Sequence, residues 1–150
     1  DPGFTGAIAL YWTDTGKLEV HDMPVMKNTK GKAIINSPYL LDILQNEANE
    51  KCLALIEQVS AMPGQGVSSM FRFGEGYGML QMACAANKLP TQFVTAAKWK
   101  GYFGLNRDKG VSRGLAMQRF PEYAGLFGRV KDDGRAEAAL IALYAAENMV

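Results

Sequence analysis

A single histidine, His21, and two cysteines, Cys52 and Cys84, are all that this 150-residue chain offers of the commonest zinc ligands and nucleophile-base pairs. Zinc centres and histidine-based triads are therefore nearly excluded before any motif is sought. The cysteines lie far apart in apolar stretches, which predicts buried thiols rather than a disulfide framework. His21 falls in a predicted strand and is expected to be an ordinary surface or core residue. Charge of one sign is also lacking: 16 Lys and Arg face 15 Asp and Glu, which argues against a uniformly basic nucleic-acid binder and against an acidic disordered tail. No apolar run approaches the roughly eighteen residues of a membrane helix, and no leader pattern opens the sequence. The chain reads as soluble and intracellular, with no membrane partner.

What is present is core. Hydrophobic residues make up 48% of the chain, enough for one domain over residues 1–150. Alternation from Phe4 to Trp12, a turn at Asp14-Thr15-Gly16 and a second extended stretch from Lys17 to Met23 predict a β-hairpin. A polar loop spans Lys27 to Lys32. Ser37-Pro38 then reads as an N-cap with proline at the first helical position, opening a helix to about Glu50. Cys52 to Val59 has the apolar continuity of a strand buried on both faces. Ala61 to Gly78, rich in glycine, serine and proline, reads as a long and functional loop. A helix over Met79 to Lys88, a strand over Thr91 to Thr95, short helices from Ala96 to Phe120 broken at glycines, and a last helix from Asp132 or Asp133 to about Asn148 complete the order. The class is α/β: a mixed sheet flanked by helices.

The acids stand out by position. Asp1 precedes Pro2-Gly3 at the start of the first strand. Glu57 is the lone charge in Leu53-Ala-Leu-Ile-Glu-Gln-Val59, where a carboxylate is costly without a cation beside it. Asp133 and Glu137, four apart, share a helical face. Taken singly, Asp1 could be a turn acid, Asp132 and Asp133 could be caps and first-turn acids, and Glu137 could be an exposed helix residue. Brought together, such acids would repel strongly unless a hard divalent cation sat among them.

Three segments, Asp1-Pro-Gly-x-x-Gly-Ala, Ile56-Glu-Gln-Val59 and Lys131-Asp-Asp-Gly-Arg-Ala-Glu-Ala-Ala-Leu-Ile-Ala142, follow one another in an order that resembles the RuvC-type Holliday junction resolvases of the RNase H-like superfamily, especially their phage and organelle relatives. The resemblance spans nearly the whole chain. It implies an RNase H-like fold and a metal-dependent endonuclease with Asp1, Glu57, Asp133 and Glu137 as the acidic cluster. Two Mg2+ ions, for which Mn2+ would substitute, would serve phosphodiester hydrolysis. Bacterial members usually carry two aspartates three apart on the last helix, whereas Asp133 and Glu137 are four apart; Asp132 and Asp133 both stay open as the ligand, with Asp133 favoured by its shared face. The resemblance also implies a basic residue near the scissile phosphate, a role that Lys98 or Lys100 would fill.

Thr95 to Lys131 carries eight cations against Asp108 and Glu122, a local balance of +6. Lys98, Lys100, Lys109, Arg113 and Lys131 are candidate phosphate contacts. In the 61–78 stretch Ser68, Ser69 and Arg72 offer phosphate contacts and Phe71 a stacking surface. Ser60 stands where bacterial relatives place a wedge aromatic. Branched DNA with near two-fold symmetry is the expected partner, and a homodimer the expected assembly, with Met79, Leu80, Met82 and Ala83 available for a seam. Rival readings are a broader branched-DNA nuclease, a ribonuclease H, a junction-binding module without catalysis, and a sugar-kinase or actin-type ATPase lobe, whose phosphate hairpin Asp1-Pro-Gly-Phe-Thr5 imitates. A strand that starts at its own ligand suggests that a few apolar residues precede Asp1.

Overall fold

The computed structural model describes residues 1–49, 51–106 and 108–149, without the Lys109 side chain. Strands β1 (Ala7–Tyr11) and β2 (Leu18–Asp22) form the predicted antiparallel hairpin, Ala7 opposite Asp22 and Tyr11 opposite Leu18. The stretch expected as plain loop is flanked by a second hairpin, β3 (Val25–Lys27) with β4 (Ala33–Ile35). The Asn28 side chain closes its turn by accepting from the Lys30 and Lys32 amides. Strands of three residues are too short to leave a periodic signal. Helix α1 (Ser37–Glu47) has Pro38 in its first turn as predicted, but its cap is Asn36, which accepts from the Tyr39 amide at 3.3 Å. Glu50, its expected end, lies outside the described residues.

Strand β5 (Ala54–Gln58) runs parallel to β6 (Thr91–Thr95). Between them lies the largest departure from expectation: α2 (Val67–Ala86) occupies much of the supposed loop and leaves only residues 59–66 irregular. Its glycines each cost a helix roughly 1 kcal/mol, which is why the stretch reads as a breaker. Tertiary packing overrides that cost at buried Gly76, where a Cβ would stand 2.9 Å from Ile35 Cγ1. Helices α3 (Ala96–Tyr102) and α4 (Lys109–Arg119) are short as expected, but of the expected breaks only Gly104 falls between them, while Gly101 and Gly110 lie within the helices. Two 3₁₀ turns, Pro121–Phe127 and Val130–Asp132, lead into α5 (Asp133–Asn148).

The strands lie between two helical layers, each with its own core. Leu40 and Leu44 of α1 and Leu80, Ala83 and Cys84 of α2 pack with Ile35 and Ile56 on one side. Leu140, Ile141 and Tyr144 of α5 pack with Leu18, Val94, Trp99 and Phe127 on the other. Strand side chains alternate faces, so Ala54 and Ile56 point to the α1–α2 side and Leu55 to the α5 side. Both cysteines are free, and burial pushes the Cys84 thiol above its usual pKa. The class is α/β as expected, but the described strands pair two by two, β1 with β2, β3 with β4 and β5 with β6, rather than in one continuous mixed sheet. No helix among the described residues is long and apolar enough to cross a membrane.

Candidate active site

The first and last motifs meet in space. Gly6 passes so close to Asp1 that a Cβ on it would lie 2.3 Å from the Asp1 carbonyl oxygen, and a Cβ on Gly134 would lie 2.2 Å from the Thr5 carbonyl oxygen. The Asp1–Gly6 turn therefore rests directly on the first turn of α5, a contact that only glycine permits at both positions. Asp1 Oδ1 accepts from the Gly3 amide at 3.3 Å, and the Asp1 ammonium donates to the Ala7 carbonyl at 3.2 Å. Burial lowers that ammonium to a pKa of about 6, against the opposing pull of the Glu57 and Glu137 carboxylates.

Glu57 follows from strand alternation. Two residues after Leu55, it shares the α5 side of β5, where Glu137 of α5 is also placed. Its Oε2 accepts from the indole Nε1 of fully buried Trp99 at 2.7 Å. The next residue, Lys100, donates from Nζ to Glu137 Oε1 at 2.8 Å and lies 5.1 Å from the Trp99 ring centre. Asp133 sits one helical turn before Glu137, with its Oδ1 2.9 Å from Arg113 Nε. Neither of those two atoms has a properly aligned hydrogen-bond partner, so the pair is a charge contact with spare acceptor capacity. Helix α3, capped by Thr95 at the end of β6, thus delivers Trp99 to one acid and Lys100 to another.

Asp132 points elsewhere. It is 1% exposed and accepts from the Arg129 amide at 2.8 Å and from the Arg129 guanidinium, which holds its carboxyl below the usual range. Beyond it Arg135 makes a two-pronged contact with Asp22, at 2.6 and 2.7 Å. These residues, with Phe4, Thr5 and exposed Lys131, line a small cavity of about 190 Å³. Of the two adjacent aspartates, Asp133 is the one on the side of Glu137.

The remaining candidates are spread out. Lys98 is exposed on α3, and Ser68 and Ser69 are exposed in the first turn of α2. Phe71 is 68% exposed, while Arg72 is half-buried with Nε donating to the Ser68 carbonyl at 3.4 Å. All four α2 residues stand on a helix rather than in the expected loop. Met82 is 68% exposed and Met79 is exposed, whereas Leu80 and Ala83 belong to the core. Arg107 and the Lys109 side chain lie outside the description. Trp99 and Arg113 as partners of the acids were invisible to spacing, since the Trp99–Glu57 contact spans 42 residues.

Asp1, Glu57, Asp133 and Glu137 supply the hard oxygen donors that a divalent ion such as Mg2+ requires. Among the described residues, no three Asp, Glu, His or Cys converge closely enough to form a ligand group as they stand. Lys100 and Arg113 supply positive charge among these acids. The donor chemistry therefore fits a metal, and its binding would have to displace cations that the chain itself provides. No protein-family model matches the chain, and no curated protein matches it either.

Proposed function

We propose that this chain is a metal-dependent, structure-specific endonuclease of the RuvC type, with an RNase H-like arrangement, that acts on four-way DNA junctions as a homodimer. The observation that carries the reading is the contact of the first and last motifs, the Asp1 turn seated on Gly134 at the start of α5, with Asp133 and Glu137 on the first turns of that helix and Glu57 on the side of β5 that faces it. Acids placed on neighbouring elements repel one another unless cations sit among them, and that cost supports a use for them. Two Mg2+ ions bound there would activate a water and stabilise the leaving 3′-oxygen. The chain's own part is to orient: Trp99 fixes one Glu57 oxygen, and Lys100, held at Glu137, is a cation that a phosphate reaching the acids would meet. Arg113 adds positive charge beside Asp133, exposed Lys98 on α3 and exposed Lys131 before α5 are further cations for a phosphate backbone, and the exposed Met79 and Met82 on α2 suit a seam between copies.

Incubation with four-way junction, flap, duplex and RNA–DNA hybrid, in Mg2+ and in EDTA, tests this reading. Paired symmetric nicks on the junction in Mg2+ and none in EDTA are expected; cleavage indifferent to EDTA, or confined to the hybrid, would overturn it. A second reading, a junction-binding module without cleavage, draws on Lys100 and Arg113 already neutralising Glu137 and Asp133. Junction binding with no nicks in any divalent metal would favour it.

A further inference from the structure

From Met23 to Leu41 the chain holds Lys27, Lys30 and Lys32 and no acid. All three lysines belong to the β3–β4 hairpin, all are exposed, and the ion pairs among the described residues include none of them. Cations crowded on one turn repel one another, and of the strand residues in this hairpin only Ile35 is buried. Neither feature serves stability. The turn is nevertheless fixed: Asn28 Oδ1 accepts from the Lys30 and Lys32 amides at 2.9 and 3.0 Å, the Asn28 amide donates to the Lys32 carbonyl at 2.9 Å, and Gly31 takes a φ of 72°.

Register and alternation distribute these cations. Val25 pairs with Ile35, Met26 with Ile34 and Lys27 with Ala33, so Lys27 shares a face with Ile35, while Lys32, two before Ile34, shares the other with Met26. Lys30 stands in the turn between them, so the tip is positive on both faces and at its apex. A single phosphate row needs cations on one face only; cations on both faces suit a gap between two such rows. The major groove of duplex DNA is that kind of gap, about 12 Å wide, and admits a two-stranded ribbon, whereas the minor groove, about 6 Å wide, is too narrow. The base of the hairpin is tied to the candidate active site. Met23 N donates to Gly6 O at 3.0 Å, Asn36 N donates to Pro24 O at 2.9 Å, and Ile35 packs into the space that Gly76 leaves. Gly6 belongs to the Asp1 turn, so the hairpin and that turn are held as one piece. At about 3.3 Å per residue the stretch from Val25 to Lys30 reaches at most about 17 Å, roughly half a turn of duplex.

We propose that the β3–β4 hairpin is a finger that enters the major groove of one arm of the junction, with Lys27 and Lys32 meeting the phosphate rows on its two walls and Lys30 leading between them. The contact fixes the position and orientation of the arm rather than its sequence, because the amide side chain at the tip, Asn28, is occupied in closing the turn. The inference rests on the reading of the chain as a binder of junction DNA and names the element that grips an arm.

Binding of a four-way junction in EDTA, measured over a range of salt, tests it apart from cleavage. The triple variant Lys27→Gln, Lys30→Gln, Lys32→Gln is expected to bind about 10-fold or more weakly near 0.1 M salt at unchanged melting temperature, and the slope of log affinity against log salt is expected to shrink by about 2 to 3, at about 0.9 per phosphate contact. Lys51→Gln with Lys88→Gln, exposed residues just ahead of β5 and β6, is expected to change affinity little. An equal loss there would reduce the effect to bulk charge and overturn the proposal. A junction whose arm pyrimidines carry bulky C5 substituents, which stand in the major groove, is expected to weaken the wild-type chain toward the triple variant and to leave the variant unmoved. Equal weakening of both proteins would overturn groove entry. Unchanged affinity and slope in the triple variant would overturn the finger and leave the nuclease reading in place, whereas a wild-type chain that binds no junction would overturn both.

Discussion

Asp132 and Asp133 are neighbours in sequence and opposites in circumstance. Asp132 is almost fully buried, and both of its oxygens accept from one neighbouring residue, Arg129, three positions away. Asp133, less enclosed, faces Arg113 from another helix in a contact too poorly aligned to count as a hydrogen bond. The same contrast separates the two sides of the start of α5. One side holds closed pairs, Asp132 with Arg129 three residues away and Asp22 with Arg135 from across the chain, whose demands are met within the fold. The other holds acids from several distant segments with cations set among them. An acid whose bonding is complete belongs to the architecture; an acid left with open capacity beside others of its kind is available for chemistry.

The contrast breaks most visibly at Glu57. Glu57→Gln keeps an acceptor for the Trp99 indole but removes the charge, and cleavage of a four-way junction is expected to fall by about 100-fold or more with thermal stability nearly unchanged. Cleavage at the native rate would remove Glu57 from the site. Asp132→Ala is expected to do the reverse, costing about 2 kcal/mol of stability through the lost charged hydrogen bonds while leaving the cleavage rate of the folded fraction intact. A selective loss of cleavage at unchanged melting temperature would erase the distinction between the two aspartates. Trp99→Phe retains most of the buried volume but not the N–H, and about a 10-fold loss of cleavage together with a shifted Mg2+ dependence is expected. A purely packing role would leave the metal dependence where it was.

The smallest effect concerns acid. Hydrogen bonds from Arg129 and Arg135 hold the Asp132 and Asp22 carboxyls below their ordinary range. Their stabilisation is therefore complete above the unfolded carboxyl pKa, which lies near 4, and is lost as pH falls through the lower folded values. Melting temperature should decline on acidification below that point, and Asp22→Asn should flatten the decline slightly, since that side chain is 65% exposed. An unaltered acid limb in an Asp22→Asn, Asp132→Asn double variant would show that neither pair contributes.

Much of the frame was legible because its signals are local. The β1–β2 hairpin, the strand at Thr91–Thr95 and the helix from Asp133 to Asn148 each carry their own periodicity or turn residues. The helix α2 was not, because Gly76 reads as a breaker until the Ile35 side chain it accommodates is seen. Glu57 announced itself as a charge where a buried strand calls for none. Its partner did not, since a tryptophan in a short helix has the same local pattern whether its indole nitrogen meets a carboxylate or solvent. The separation of β1 from β5 was equally hidden, because pairing between strands is decided by edges that no single segment contains.

The Trp99 contact has one further consequence, for observation. The chain has two tryptophans, and Trp12 stands at the end of the β1 strand while Trp99 is fully enclosed with its indole nitrogen on Glu57. Replacing Trp12 by Phe would leave a protein whose entire tryptophan fluorescence arises against a single candidate ligand, so that ion arrival, substrate arrival and protonation at that carboxylate could each be followed optically without attaching a label.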